Sequence, residues 1–422
     1  MIPVPFAEIE ALALGRLDGA PPGGLVTRIH ADSRTARPGD LFVALNTGVR
    51  YVGDATARGA AALVPDDQHA ALAALAGLVR ARSDARVVAV VGSTGKTSTK
   101  DVLGALCAAV TPTVYAEASQ NNEIGLPLTV CRLEPDTQVL VAELGMRGLG
   151  QVAELCAVAR PHVALVTAVG PEHLELVGTV ENVARANAEA IEALPAGGVA
   201  VVPAGEALLE PYLRRPDLDV RRFDPAAVGR AGDGWRFPVG GNEVVLRLPF
   251  ASRHMVANTL AALTAYDALG LPLERAQEGA DGIRLSPWRG EELPLPGGGF
   301  VVNDAYNANP ASVRAALADL AERADGRRRL AFLGGMAELG DAAPGYHREL
   351  GALACELGIE VVAVGDLARL YGAGRWVADA EEAVALAREL VRPGDAVLVK
   401  ASRAIGLEGI PGRLANIAGE WS

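Results

Sequence analysis

The chain has 422 residues, half of them hydrophobic and 21% charged, which allows two or three domains with cores of their own and excludes an intrinsically disordered protein. Its formal net charge of −12 argues against a surface that binds nucleic acid or anionic membranes. The sequence has neither a basic leader nor an apolar run of about 18 residues, so we expect a cytoplasmic protein without membrane insertion. The four cysteines lack CxxC spacing and are predicted to be buried free thiols.

Residues 1–83 are predicted to form a small α/β domain. Two short β-rich runs, 25–29 and 41–45, lie on either side of an Asp-Ser-Arg segment and a Pro-Gly-Asp turn. Ser33 and Arg34 in that segment could bind a diphosphate or the edge of a uracil ring. A surface salt bridge of Arg34 is the competing interpretation.

The stretch 86–100, RVVAVVGSTGKTSTK, predicts a buried strand, a tight loop and a helix that begins near Thr97. Its glycines and helix start offer backbone N–H groups to a phosphate, Lys96 offers an ammonium group, and Thr97 offers a hydroxyl to Mg²⁺. The spacing is the short form GxxGKT of the phosphate-loop pattern. We interpret it as a nucleoside triphosphate site, with a plain strand-to-helix turn as the alternative.

The use of lysine supports this interpretation. The chain has three lysines, Lys96, Lys100 and Lys400, against 36 arginines. Two of the three lie beside the loop, and lysine and arginine are not interchangeable around phosphates.

Strands and helices are predicted to alternate over residues 84–286, which favours a mostly parallel sheet covered by helices. In such sheets ligands bind beyond the carboxyl ends of the strands. Glu143 and His173 are predicted at two of these ends and could ligate Mg²⁺, although each residue alone could be a structural acid or a packing histidine.

The pattern restarts near residue 287, which predicts a third α/β domain over 287–422. Its first strand leads into the polar segment NDAYNANP at 303–310. The apolar helix before this domain carries His254 and Asn258 four residues apart on one face, where the amide could contact an adenine or cap a buried contact.

Eight motifs, taken together, resemble the Mur ligases in order and spacing. They are GSTGKTSTK at 92, NNEIGLPLT at 121, AELG at 142, GPEHLE at 170, HMVAN at 254, NDAYNANP at 303, LGGMAELG at 333 and VLVKASRAIGLE at 397. The resemblance covers nearly the whole chain, including DSRTARPGDLFVAL at 32–45, which is similar to the uridine-nucleotide domain of the family. It implies three domains: a UDP-substrate domain, a central phosphate-loop ATPase domain and a C-terminal Rossmann-like ligase domain.

The implied activity is an ATP- and Mg²⁺-dependent amide ligation that adds D-alanyl-D-alanine to UDP-N-acetylmuramoyl-tripeptide through an acyl phosphate. The implied protein is monomeric and acts in peptidoglycan precursor synthesis. Two alternatives stay open: a catalytically weakened relative with a binding or regulatory role, and an amide ligase with another acceptor.

The resemblance also implies roles for individual residues. Catalytic roles fall to Lys96, His173, Asn307, Lys400 and Arg403. Nucleotide contacts fall to Gly92, Ser93, Thr94, Gly95, Lys96, Thr97, Ser98, Asn258, Arg289 and Asp304. Substrate contacts fall to Ser33, Arg34, Asn121, Asn122, Asn309 and Ser402. Metal ligands are expected at Thr97, Glu143 and His173.

The chain departs from the family pattern at four positions. Asn187 stands where the family carries a lysine that becomes carbamylated and bridges two Mg²⁺ ions, and Gly335 stands where an aspartate is usual. Ala168 and Met255 replace asparagines. We therefore expect a weaker second metal site.

Overall fold

The structure is a computed structural model that describes residues 1–417, so the predicted end of the third domain at 422 lies outside the described residues. The described chain is a mixed α/β protein of three parts, as the sequence predicts. Every helix in residues 1–417 is too short or too polar to cross a membrane.

The N-terminal part is built around a four-stranded mixed sheet of order β2-β6-β5-β4. Its strands are β1 (Val4–Pro5), β2 (Gly15–Asp18), β3 (Leu25–Val26), β4 (Arg28–His30), β5 (Asp40–Val43) and β6 (Ala61–Pro65). Its helices are α1 (Phe6–Ala11), α2 (Val52–Ala57) and α3 (Gln68–Arg80). The single strand predicted over 25–29 is wrong: β3 pairs with β1 and β4 pairs with β5, so the chain changes sheets at Thr27.

The central part contains a six-stranded sheet of order β12-β11-β10-β7-β9-β8 in which every pairing is parallel. Its strands are β7 (Arg86–Val91), β8 (Thr113–Tyr115), β9 (Val139–Glu143), β10 (Val163–Val166), β11 (Val199–Pro203) and β12 (Asp219–Phe223). The four strands of the middle of the sheet are apolar and β-branched because helices cover both faces.

The helices of the central part are α4 (Lys96–Ala108), α5 (Gly125–Val130), α6 (Gln151–Ala159), α7 (Leu174–Val177), α8 (Val180–Glu192), α9 (Arg253–Ala268) and α10 (Ala276–Asp281). A second, antiparallel sheet of β13 (Gly229–Ala231), β14 (Gly234–Val239) and β15 (Asn242–Leu246) lies between β12 and α9. The sequence analysis did not predict this sheet. The signals available in the sequence were the glycine turns between its strands and the alternation of Trp235, Phe237 and Val239 with other residues along β14.

The C-terminal part has a six-stranded sheet of order β16-β17-β21-β18-β19-β20, parallel except for the β16–β17 pair. Its strands are β16 (Glu291–Leu295), β17 (Gly299–Asn303), β18 (Arg329–Gly334), β19 (Ile359–Val364), β20 (Arg375–Val377) and β21 (Ala396–Lys400). Its helices are α11 (Pro310–Arg323), α12 (Ala343–Glu356), α13 (Ala380–Leu390) and α14 (Ile410–Ile417).

The prediction of buried thiols holds for three of the four cysteines. Cys107, Cys131 and Cys156 are buried, whereas Cys355 is exposed. It lies in the last turn of α12, on the face that does not pack against the sheet, so the prediction is wrong at this position.

Helix α12 supplies a test of the C-terminal packing. A Cβ atom at Gly351 would lie 1.9 Å from the backbone oxygen of Tyr371, so Gly351→Ala must separate α12 from the segment beside it. We expect a loss of about 2 kcal/mol, the usual cost of overpacking. Gly345→Ala in the same helix meets nothing within 4 Å and should not destabilise the protein. Calorimetric melting of both variants measures the difference, and equal melting temperatures would contradict this packing.

Candidate active site

A cavity of about 660 Å³ lies where the carboxyl ends of the central and C-terminal sheets face each other. The loops after β7, β9 and β10 line one side of the cavity, and the loop after β17, the start of α11 and the end of β21 line the other side. Ligands of open parallel sheets bind at such ends. The cavity is therefore the candidate active site.

The phosphate loop follows β7 and ends where α4 begins at Lys96. Gly95 has φ of 80°, and a Cβ atom there would lie 2.4 Å from Asn258 Oδ1, so the loop needs glycine for both its conformation and its space. Lys96 donates a hydrogen bond to the Gly92 carbonyl, and its Nζ lies 3.5 Å from Glu172 Oε2. The backbone, the helix N-terminus and the ammonium group thus surround a space suited to an anion.

Glu143 closes β9 and is 1% exposed. Its Oε1 accepts hydrogen bonds from Thr97 Oγ1 at 3.0 Å and from Asn121 Nδ2 at 2.7 Å. Its Oε2 is buried without a hydrogen-bond partner. A buried carboxylate oxygen without a partner is costly unless a cation binds it, so the Thr97–Glu143 pair fits Mg²⁺.

His173 lies between two carboxylates that come from different parts of the chain. Its Nδ1 pairs with Glu338 of the loop after β18, and its Nε2 lies 3.8 Å from Glu172 Oε2. Glu338 also pairs with Arg147 at 3.3 Å. These contacts join the central and C-terminal parts beside the cavity.

The loop that carries Glu338 is held in place by His347. The Nε2 of His347 accepts a hydrogen bond from the Met336 N–H at 3.0 Å, and its Nδ1 donates to the Ala343 carbonyl at 2.7 Å. Burial lowers the pKa of His347. A neutral ring, with one donor and one acceptor nitrogen, satisfies both bonds.

The C-terminal side of the cavity is organised by two buried side chains. Lys400 is 2% exposed, and its Nζ lies 2.5 Å from Asp304 Oδ2 and donates to the Asn307 carbonyl at 3.0 Å. Asn309 caps α11 and donates to the Ser93 carbonyl of the phosphate loop at 3.1 Å. Lys400 thus positions Asp304, and Asn309 links the two parts.

Three further groups face the cavity from the side where a nucleoside could extend. Arg289 stacks on the Tyr306 ring at 3.9 Å and donates to Ser119 Oγ at 3.0 Å. His254 and Asn258 line the wall one helical turn apart. Burial lowers the pKa of His254, whose Nδ1 has no hydrogen-bond partner. These groups offer a flat stacking surface and unused hydrogen-bonding capacity to a base or ribose.

The structure brings most of the predicted site residues to this cavity. Those that line it are Ser93, Thr94, Gly95, Lys96, Thr97, Ser98, Asn121, Asn122, Glu143, His173, Asn258, Arg289, Asp304, Asn307, Asn309 and Lys400. Gly92 contacts Lys96 from behind the loop. Asn122 Oδ1 accepts a hydrogen bond from the Gly125 N–H at the start of α5, a structural role that the sequence analysis did not consider.

Four predicted residues lie away from the cavity wall. Ser33 is buried in the N-terminal part, and Arg34 is exposed and forms a two-bonded salt bridge with Asp32. Ser402 is buried, where it accepts a hydrogen bond from the Ala337 N–H at 2.9 Å. Arg403 lies over the Trp288 ring and pairs with Glu408. Contact of these four with substrate stays a prediction.

The lysine argument holds for two of the three lysines. Lys96 and Lys400 line the cavity. Lys100 is fully buried, pairs with Asp101 and donates to the carbonyls of Ala116 and Ala118, so it supports a loop behind the site.

The structure shows how two of the four departures from the family pattern, Asn187 and Gly335, fit their surroundings. Asn187 is 1% exposed and donates to the Val183 carbonyl within α8. Glu189 accepts hydrogen bonds from the N–H groups of Gly150 and Ala153 and so caps α6. A Cβ atom at Gly335 would lie 2.8 Å from Leu367 Cβ, which leaves no room for aspartate.

Sequence reasoning missed Glu172, Glu338 and Tyr306 as neighbours of the site. Glu172 and Glu338 lie within the motifs GPEHLE and MAELG, so the sequence placed them near the site. It did not reveal that Glu338 pairs with His173, which is 165 residues away in the chain.

Comparison with known proteins identifies the family. Residues 90–266 match the profile described as the Mur ligase middle domain, and residues 288–403 match the profile described as the Mur ligase, glutamate ligase domain. A relative from Escherichia coli K12 is 32% identical, with 97% of each chain covered. The chain belongs to the Mur ligase family. This confirms the resemblance inferred from the motifs.

Two relatives of this Mur ligase share one name. The Escherichia coli protein and a 31% identical protein from Bacillus subtilis, which covers 83% of this chain and 80% of its own, are both called UDP-N-acetylmuramoyl-tripeptide–D-alanyl-D-alanine ligase. A crystal structure of MurF from Acinetobacter baumannii superimposes with a TM-score of 0.85 and 27% identity over 98% of this chain and 99% of the other. The three-part fold is thus that of a Mur ligase along its whole length.

Proposed function

We propose that this Mur ligase uses ATP to join D-alanyl-D-alanine to UDP-N-acetylmuramoyl-tripeptide. The observation that carries the proposal is the coincidence of two findings. First, a relative called by this name matches nearly the full length of the chain. Second, the structure surrounds one cavity with a phosphate loop, a buried carboxylate, and cationic and amide side chains of the C-terminal part.

The phosphates of ATP are proposed to lie between Gly95, Lys96 and Thr97, because this loop supplies backbone donors, an ammonium group and a hydroxyl group. Thr97 and Glu143 would hold Mg²⁺, which usually takes one or two carboxylates and completes its coordination with phosphate oxygens and water. Within residues 1–417 no group of three or more His, Cys, Asp and Glu side chains is arranged to hold a metal ion. An ion at Thr97 and Glu143 would therefore take its remaining ligands from the nucleotide and from water. When bound, Mg²⁺ would neutralise charge on the transferred phosphoryl group.

The proposed reaction has two steps. A carboxylate oxygen of the tripeptide bonds to the γ-phosphorus while the bond to ADP breaks, which gives an acyl phosphate. The amine of D-alanyl-D-alanine then attacks the acyl carbon, phosphate leaves with that oxygen, and the amine gives up its proton. The protein's task is to position the partners, stabilise charge and exclude water, which the cavity between two domains can do.

The long UDP-linked substrate is proposed to leave the cavity through a groove of about 460 Å³. The groove shares Glu123, Gly145 and Gln151 with the cavity and continues along α3 of the N-terminal part. Its floor contains Pro127, Leu155 and Val158. We therefore propose residues 1–83 as the UDP-substrate domain, 84–286 as the ATP domain and 287–422 as the domain of the incoming amine.

Phosphate release tests the function against its two alternatives. The purified protein should release phosphate from ATP only when UDP-N-acetylmuramoyl-tripeptide and D-alanyl-D-alanine are both present. Phosphate release with the tripeptide but with another amine in place of D-alanyl-D-alanine would favour a different acceptor. ATP binding without phosphate release in any mixture would favour the weakened relative. Either outcome would overturn the proposal.

A further inference from the structure

Glu172 is a buried carboxylate that the proposed reaction does not yet use. It is 7% exposed and lines the cavity directly before His173. Its Oε1 is buried without a hydrogen-bond partner, and its Oε2 lies 3.5 Å from Lys96 Nζ and 3.8 Å from His173 Nε2. A carboxylate in this setting needs a cation close by.

Lys96 Nζ is a cation 3.5 Å from Oε2 and meets that need. Phosphates bound in the loop would attract the same ammonium group, and Glu172 would then lose this partner. Three negative groups would then approach one another: the phosphates, Glu143 and Glu172. The repulsion is relieved if a second cation enters beside Glu172.

We propose that Glu172 is a metal-binding residue, which together with His173 Nε2 holds a second divalent cation against the bound phosphates, apart from the ion at Thr97 and Glu143. The geometry allows it. Adjacent ligands of one octahedral ion with bonds of about 2.1 Å lie about 3.0 Å apart. Glu172 Oε2 and His173 Nε2 are 3.8 Å apart, so a side-chain shift of less than about 1 Å would bring both atoms to one ion. Because Glu338 binds Nδ1, Nε2 is the nitrogen that faces the cavity and is oriented for a ligand.

Helix α8 has no anion at position 187, where the family pattern has a lysine that becomes carbamylated. Asn187 is neutral and its amide is hydrogen-bonded within α8, while Glu189 is used at the N-terminus of α6. We therefore infer that Glu172 provides the negative charge at the second ion, in place of the carbamylated lysine that Asn187 replaces. The inference rests on the proposed function, because it needs nucleotide phosphates in the cavity.

Manganese binding tests the proposal directly. Mn²⁺ accepts both carboxylate and imidazole ligands and can be counted by electron paramagnetic resonance in the presence of a non-hydrolysable ATP analogue. We expect two Mn²⁺ ions per chain for the wild type and for the control Glu192→Gln, which changes an exposed acid at the end of α8. Glu172→Gln should keep one ion and bind the second at least tenfold more weakly. Glu172→Asp, which keeps the charge, should retain the second ion.

Three outcomes would overturn the inference. The first is a Glu172→Gln variant that binds both ions as the wild type does. The second is one that keeps both ions but binds the analogue more tightly, since Glu172 would then act only by restraining Lys96. The third is one that keeps both ions but needs more D-alanyl-D-alanine, which would make Glu172 a partner of the incoming amine. A wild type that binds analogue and metal but releases no phosphate would instead contradict the proposed function alone.

Discussion

Replacing Lys96 with alanine is expected to lower phosphate release by about 10³-fold, the scale seen when a preorganised charge-stabilising group is removed from a transition state. Lys96 lines the cavity, and its compact ammonium group is the cation that the phosphate loop itself provides. Lys96→Arg should fail nearly as completely, because a planar guanidinium cannot occupy the space between Gly92 and Glu172 in the same way. Steady-state phosphate release with both substrates measures the effect.

The control for this experiment is Arg388→Ala, which removes an exposed cation from α13 and should leave the rate unchanged. Both Lys96 variants should keep the circular dichroism spectrum of the wild type, because the main packing of α4 is made by other side chains. Near-normal turnover of Lys96→Arg would show that the loop needs only a positive charge, which would contradict the proposed role of the ammonium group.

Replacing Glu143 with glutamine is expected to lower phosphate release by about 10²- to 10³-fold, the same scale as other losses of transition-state charge stabilisation. The amide can keep the hydrogen bonds that Thr97 and Asn121 make with Oε1, so the fold should survive. The unpartnered Oε2 becomes an NH₂ group, which cannot ligate a metal. The variant should therefore lose the tighter Mn²⁺ ion in the presence of the ATP analogue.

The control for Glu143→Gln is Glu154→Gln, which removes the same charge from an exposed position on α6. Glu154→Gln should bind Mn²⁺ as the wild type does, although it lines the groove where the peptide substrate is proposed to lie. If Glu143→Gln retained the tighter Mn²⁺ ion and normal turnover, Thr97 and Glu143 would not form the metal site.

Local signals in the sequence predicted most of the site, since Glu143 ends a strand with a clear apolar run and the phosphate loop and His173 each come after one. A parallel sheet places the ends of such strands together, so their convergence could be anticipated. The division of residues 25–30 between two sheets could not, because a pairing partner is not encoded in the strand's own pattern.

The sequence did not reveal the contacts that side chains make with segments far away in the chain. Asn309 is predicted to contact substrate, and the structure adds that it caps α11 and donates to the Ser93 carbonyl. Lys400 is predicted to be catalytic, and the structure adds that it forms a salt bridge with Asp304. Contact of both residues with substrate stays a prediction. The sequence analysis did not single out Glu172, because its burial and its contact with Lys96 are visible only in the structure. Each of these depends on contacts between segments far apart in the chain.

The measurement that tests the central claim most directly follows oxygen from substrate to phosphate. UDP-N-acetylmuramoyl-tripeptide labelled with ¹⁸O in its terminal carboxylate is incubated with ATP and D-alanyl-D-alanine, and the released phosphate is examined by mass spectrometry. Ligation through an acyl phosphate predicts one ¹⁸O atom in each phosphate formed together with the extended peptide. Unlabelled phosphate, or AMP in place of ADP, would contradict the proposed reaction.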